Sequence, residues 1–202
     1  MDPQAHWNQV YTTKAPTGVS WYQRSPERSL ALIRKHAQPS QRVIDVGGGA
    51  SSLVDALLDA GYQRPLVLDV AVAALAHARQ RLGARAAQVE WVVADLTQAP
   101  VLPPVDLWHD RAVLHFLTDP ADQAAYAALV TRSLRPGGAI VAATFALDGP
   151  ERCSGLPVQR HDGASVARLL GAGFEPIEEE REVHVTPGGV EQRFAWTVLR
   201  RR

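Results

Sequence analysis

The stretch "VIDVGGGASS", residues 43–52, decides how the rest of the chain is read. It runs from a buried-strand pattern through a glycine turn into a helix start. Gly47, Gly48 and Gly49 let the backbone turn sharply and let a ligand approach without meeting a Cβ. The first N–H groups of the following helix then face that ligand. Alone, this is also ordinary turn chemistry for an α/β protein. Asp45, two residues before Gly47, sharpens it. A carboxylate there suits a cationic ligand group and repels a pyrophosphate. Ser52 stands where a dinucleotide fingerprint has its third glycine. Both features argue against a dinucleotide.

Outward from this loop, short apolar runs alternate with helical ones. Strands are expected at 42–46, 65–70, 89–95, 105–110 and 139–146, and helices at 51–62, 71–83 and 119–134. This spacing implies right-handed βαβ units and a parallel sheet. A helix at 162–174 is followed by strands at 175–186 and 190–201 around the turn "PGG". The expected fold is therefore α/β: a Rossmann-like, doubly wound, mostly parallel seven-stranded sheet ending in an antiparallel hairpin. Residues 1–24 carry Trp7, Tyr11, Trp21 and Tyr22 and read as an irregular aromatic lid. Residues 25–202 form a single domain, opening on a helix capped by Ser25 with Pro26 at its first position.

Two more acids fall at strand ends. Asp69 closes the second strand, 20 residues after Gly49, the spacing at which an acid holds ribose hydroxyls. Asp95 closes the third, placed to reach an adenine amino group. Val70 and Leu96 adjoin them. Three acids at the ends of three consecutive strands should line one crevice.

The 21 basic residues balance the 21 acidic ones, and only "RRR" at 200–202 clusters positive charge, which argues against a nucleic-acid binder. Cys153 is the single cysteine, so no intrachain disulfide or cysteine metal cluster forms, and no metal is expected. No apolar leader or run of membrane-spanning length is present, so the expectation is a cytoplasmic protein with no membrane partner. His77 and His184 read as structural or exposed, the glutamates 178–180 as a solvated edge, and Cys153 as an incidental thiol.

The set resembles the class I S-adenosylmethionine-dependent methyltransferases. "VIDVGGGASS" is similar to that family's acid-containing glycine loop, Asp69 to its ribose-holding acid, and "ADL" at 94–96 to its adenine-contacting motif. "VDLWHDRAVLHFLTD" at 105–119 resembles the fourth-strand motif, and "LRPGG" at 134–138 the turn before the fifth strand. The opening Trp7-to-Tyr11 spacing and "SWYQ" at 20–23 also resemble methyltransferase-like proteins that modify protein lysines. "HDRAV" at 109–113 departs from their Asp-Lys-Gly-Thr-like motif. Small thiol or metalloid methyltransferases are an equal comparison.

The resemblance implies S-adenosyl-L-methionine as cofactor, with the backbone at 110–112 beside its methionine part. Asp110 then accepts from the cofactor ammonium or orients the acceptor. Arg111 clamps an acceptor anion or pairs with Asp110. His115, one helical turn beyond Arg111, is the first candidate for a general base. Trp21 belongs to the cofactor's surroundings, since aromatic faces suit a sulfonium. The bland alternative is that the 109–111 cluster is a structural network. The acceptor is expected to be a small molecule with a sulfur, nitrogen or oxygen nucleophile. Protein lysine is the second reading, and a non-catalytic binding module the third.

Overall fold

The computed structural model describes residues 2–202. Helix α1 (Pro3–Thr13) comes first, then α2 (Glu27–His36), β1 (Val43–Val46), α3 (Leu53–Asp59), β2 (Leu66–Asp69) and α4 (Val72–Leu82). The chain continues through β3 (Glu90–Val93), β4 (Val105–Arg111), α5 (Pro120–Ser133) and β5 (Leu134–Phe145). A small hairpin, β6 (Arg152–Cys153) and β7 (Leu156–Pro157), precedes α6 (Gly163–Leu170), β8 (Phe174–Val185) and β9 (Glu191–Arg201). Seven strands form one sheet in the order β3-β2-β1-β4-β5-β9-β8. The first five are parallel, and β9 pairs antiparallel with both β5 and β8. The order reverses between β1 and β4, and a crevice opens outside their carboxyl ends.

Apolar side chains cover both faces, as a doubly wound sheet requires. One face packs Trp108, Ile140 and Leu199 against Tyr126 and Leu129 of α5 and Val166 of α6. The other packs Val43, Leu107 and Trp196 against Leu32 and Ile33 of α2 and Leu57 of α3. Among the described residues, no helix is long and apolar enough to cross a membrane.

Four local expectations are corrected. Residues 3–13 are helical, because the Asp2 side chain caps the N–H groups of Gln4 and Ala5 and Pro3 takes the first turn. Ser25 makes no cap: α2 starts at Glu27 behind Pro26, without a side-chain hydrogen bond. Strand β5 begins at Leu134 rather than 139. A register shift lets Leu134 pair with Val105, and "RPGG" runs through the strand. Gly138 is required there, since a Cβ would stand 2.7 Å from the Asp106 carbonyl oxygen. The glutamates 178–180 tie two helices to β8. Glu178 accepts from Lys35 at 2.6 Å and meets His36 at 3.0 Å, Glu179 accepts from the Gly163 N–H, and Glu180 pairs with Arg28.

Candidate active site

The glycine loop leaves β1 with Gly47 and Gly49 at positive φ (65° and 32°), a region that favours glycine. Its backbone lies directly on the acids. A Cβ on Gly48 would meet Asp45 Oδ2 at 2.5 Å, and one on Gly49 would meet Asp69 Oδ2 at 2.6 Å. A Cβ on Gly47 would run into the Val113 side chain at 2.1 Å. The loop is thus a cradle pressed against two carboxylates.

Asp45 is nearly buried and held from the next strand. His109 Nδ1 lies 2.7 Å from Asp45 Oδ1, and His109 Nε2 lies 3.0 Å from Ser29 Oγ on α2. Asp69 accepts from the Ala71 N–H at 2.8 Å. Burial pushes its carboxyl up to about 7, more than its backbone donors lower it. Asp95 accepts from Thr97 N–H (2.9 Å) and Oγ1 (2.8 Å), capping a short 3-10 turn at 96–98.

Two cavities of about 480 and 470 Å³ adjoin at this edge. The first is lined by Asp69, Val70, Asp95 and Leu96 at one end and by Phe116, Cys153 and Leu156 at the other. The second holds Asp45, Gly47, Gly48, His109 and Arg24. Tyr11, Trp21, Gly47 and Arg111 belong to both and form the shared wall. Gly49 lines neither and acts through its contact with Asp69.

The N-terminal aromatics close over the crevice. Trp7 meets Trp21 and Phe116 edge-to-face, at 5.6 and 5.0 Å between ring centres, and Trp21 Nε1 donates to Tyr11 Oη. Helix α1 is docked on α4: Asn8 Oδ1 accepts from the Ala73 N–H, and His77 Nε2 lies 3.0 Å from the Tyr11 carbonyl oxygen. His184 is structural, 2.8 Å from the Ser20 carbonyl oxygen.

Strand alternation sends His109 and Arg111 to one side of β4 and Asp110 to the other. Two expectations fail on this point. Asp110 lies in the core, fully buried, and lines neither cavity. It accepts from the N–H groups of Val113 and Leu114 and from Tyr126 Oη at 2.8 Å, which makes it a lock between β4 and α5. His115 is also fully buried, with its ring against Phe116 and Phe145 and its Nδ1 accepting from the Phe145 N–H. Burial pushes it down to about 3, so it is neutral and away from the cavities. It does not share a face with Arg111 because Ala112 takes φ +70° and the chain enters a 3-10 turn, not a helix.

Residues not anticipated include Ser29, Tyr126, Asn8 and His6, whose ring lines the first cavity. Only α1 had a readable signal, the "DP" at residues 2–3.

The residues present fit S-adenosylmethionine. Asp69, buried with a raised pKa, lines the first cavity where ribose hydroxyls can donate to it, and the carboxylates of Asp45 and Asp95 suit an ammonium and an amine.

Known proteins agree with this geometry. Residues 43–138 match a family model described as a methyltransferase domain. The mouse (Mus musculus) eEF1A lysine and N-terminal methyltransferase is 26% identical over 93 residues, 46% of this chain but 13% of that protein. This chain therefore spans only a small part of such relatives. A solved S-adenosylmethionine-dependent methyltransferase from Anabaena variabilis superimposes with a TM-score of 0.80 at 16% identity, covering 100% of this chain and 96% of that one. The N-methyltransferase NodS from Bradyrhizobium japonicum, solved with S-adenosyl-L-homocysteine, gives 0.72 at 18% identity, covering 96% and 97%. Residues 43–138 thus match a methyltransferase domain, and the whole chain shares the fold of solved S-adenosylmethionine-dependent methyltransferases.

Proposed function

We propose that the chain transfers a methyl group from S-adenosyl-L-methionine to a sulfur, nitrogen or oxygen nucleophile of a small-molecule acceptor, in the cytoplasm. The observation that carries this reading is the lidded cavity running from Asp69 and Asp95 to Arg111 and Cys153. Its first end suits an adenosyl group, and the rest is walled by aromatic rings.

In this reading Asp69 accepts from ribose hydroxyls, and Asp95 with Leu96 and Val70 takes the adenine. Asp45, oriented by His109 and Ser29, receives the ammonium over Gly47 and Gly48. Trp21 covers the sulfonium. When bound, the cofactor supplies an already activated methyl group. The protein's task is to align the acceptor in line and to exclude water, and orientation alone contributes ~7–11 kcal/mol in such reactions. Residues 1–24 serve as the lid over this step.

Among the cavity's side chains, burial pushes both Tyr11 and Cys153 up, so neither is an ionised base. His6 is the imidazole on the cavity wall. An acceptor that ionises by itself, such as a thiol near pH 8.5, needs no base.

The name of the mouse relative favours a protein lysine as the second reading. Calorimetric titration with S-adenosylmethionine, S-adenosylhomocysteine and NAD tests the cofactor. Micromolar binding of the two adenosyl ligands without NAD is expected. Binding of NAD alone would overturn the reading. Transfer of labelled methyl to small thiols and amines, but not to proteins, separates the two acceptor classes. Cofactor binding without turnover on any acceptor would leave a binding module.

A further inference from the structure

We infer that the acceptor carries a carboxylate, which docks on the free edge of the Arg111 guanidinium at the wall between the two cavities. This rests on the methyltransferase reading of the site. Arg111 ends β4 on the His109 side of the strand. Its Nη1 donates to the Trp21 carbonyl at 3.0 Å, and its Cζ lies 4.9 Å over the Phe194 ring. Those two contacts fix the plane of the group. Its Nε and Nη2 are buried and have no hydrogen-bond partner among the described residues.

A guanidinium remains protonated in a protein, so this is a buried cation with two unspent donors, an arrangement that is costly without a partner. Burial lowers its pKa only to about 10. Glu182 offsets part of the charge, but its carboxylate accepts from Trp196 Nε1 and makes no salt bridge to Arg111. The unpaired edge is the informative detail. The N–H groups of Nε and Nη2 lie parallel on one side of the fork, the edge that binds a carboxylate through two hydrogen bonds.

The cofactor's own carboxylate is the competing partner. It belongs to the methionine end, in the cavity with Asp45 and Gly48, where exposed Arg24 is available to it. Arg111 lines both cavities, and in the first it stands with Cys153 and Leu156. Trp7, Trp21 and Phe116 form the apolar wall nearby, so the acceptor is best described as an aromatic or apolar acid.

The test uses the full chain saturated with S-adenosylhomocysteine and titrated with indole-3-acetate and, separately, with its neutral isostere indole-3-acetamide. The acid is expected to bind at least tenfold tighter than the amide. Arg111→Gln, assayed at saturating S-adenosylhomocysteine, should erase that preference, and Arg111→Lys, which keeps the charge but loses the fork, should retain only part of it. Equal binding of acid and amide to the unaltered protein, or no binding of either, overturns the inference without recourse to any variant. A tenfold loss of S-adenosylhomocysteine affinity in Arg111→Gln also overturns it, and assigns the arginine to the cofactor's carboxylate. Failure of the unaltered protein to bind S-adenosylhomocysteine would instead remove the methyltransferase reading.

Discussion

Asp69, the last residue of β2, and Asp110, the last but one of β4, stand in the same sheet, both are buried, and burial pushes both upward, to about 7 and about 6. Their surroundings differ in one respect. Around Asp110 the protein supplies its own donors: two backbone N–H groups and Tyr126 Oη, itself accepting from Trp108 Nε1. Around Asp69 the donors come from the backbone alone, and the carboxylate lines the open cavity. A carboxylate whose lone pairs are taken internally closes a seam. One with lone pairs left toward a crevice awaits a ligand. Burial and similar pKa values do not tell these cases apart; facing the cavity does, and only Asp69 lines it.

The sharpest way to break this comparison is Asp110→Ala. It leaves the Val113 and Leu114 N–H groups and Tyr126 Oη buried without an acceptor, and each unsatisfied group costs about 1–3 kcal/mol. A loss of about 3–5 kcal/mol in urea unfolding is expected, with cofactor affinity of the folded protein unchanged. If affinity falls as steeply as stability, Asp110 belongs to the crevice after all.

Asp69→Asn should do the opposite, weakening S-adenosylhomocysteine binding by about 2 kcal/mol, the scale of a hydrogen bond to a charged group, with folding intact. The pH dependence follows from its raised value. In the native state Asp69 holds its proton up to about 7, whereas the unfolded chain releases it near 3.8. The stabilisation from that protonated carboxyl is full below 3.8 and is lost as pH rises through about 7. Ribose hydroxyls donate to the ionised form, so affinity should climb by up to about tenfold per pH unit below 7 and level off above it. Calorimetry from pH 5.5 to 8.5 checks this. The Asn variant should give a flat profile, and a flat profile in the unaltered protein would undo the ribose assignment.

The same contrast explains what was legible in the sequence. The cofactor half was readable because its signals are local: a strand, a glycine turn, and acids one residue from the next turn. Val70, Asp95 and Leu96 line the first cavity. The β4 cluster was not, because its roles are set by residues distant in the chain. Asp110 is locked by Tyr126, 16 positions away, and Asp45 is oriented by Ser29 through His109, 80 positions from it. The lid is set by Asn8 capping a helix 65 positions on. Helical spacing misled at His115, because one left-handed residue, Ala112, sends the chain inward rather than along a helix.

His115→Asn tests that last point and should have the smallest effect. Asn Oδ1 takes over as acceptor for the Phe145 N–H, so the cost at neutral pH is that of reduced packing, about 1 kcal/mol. The acid side should change more visibly. The folded value of about 3 lies below the ordinary 6.5, so the unfolded chain gains a proton that the native chain refuses. That contribution to stability is full above 6.5 and is lost as pH falls toward 3. Removing the imidazole should flatten this slope in unfolding curves recorded between pH 4 and 7. The pH profile of methyl transfer should not move, because the imidazole is sealed among Phe116, Phe145 and Phe194 and touches no cavity. A lost limb in that profile near neutrality would return His115 to the chemistry and put Asp110, five residues earlier in the chain, under the same suspicion.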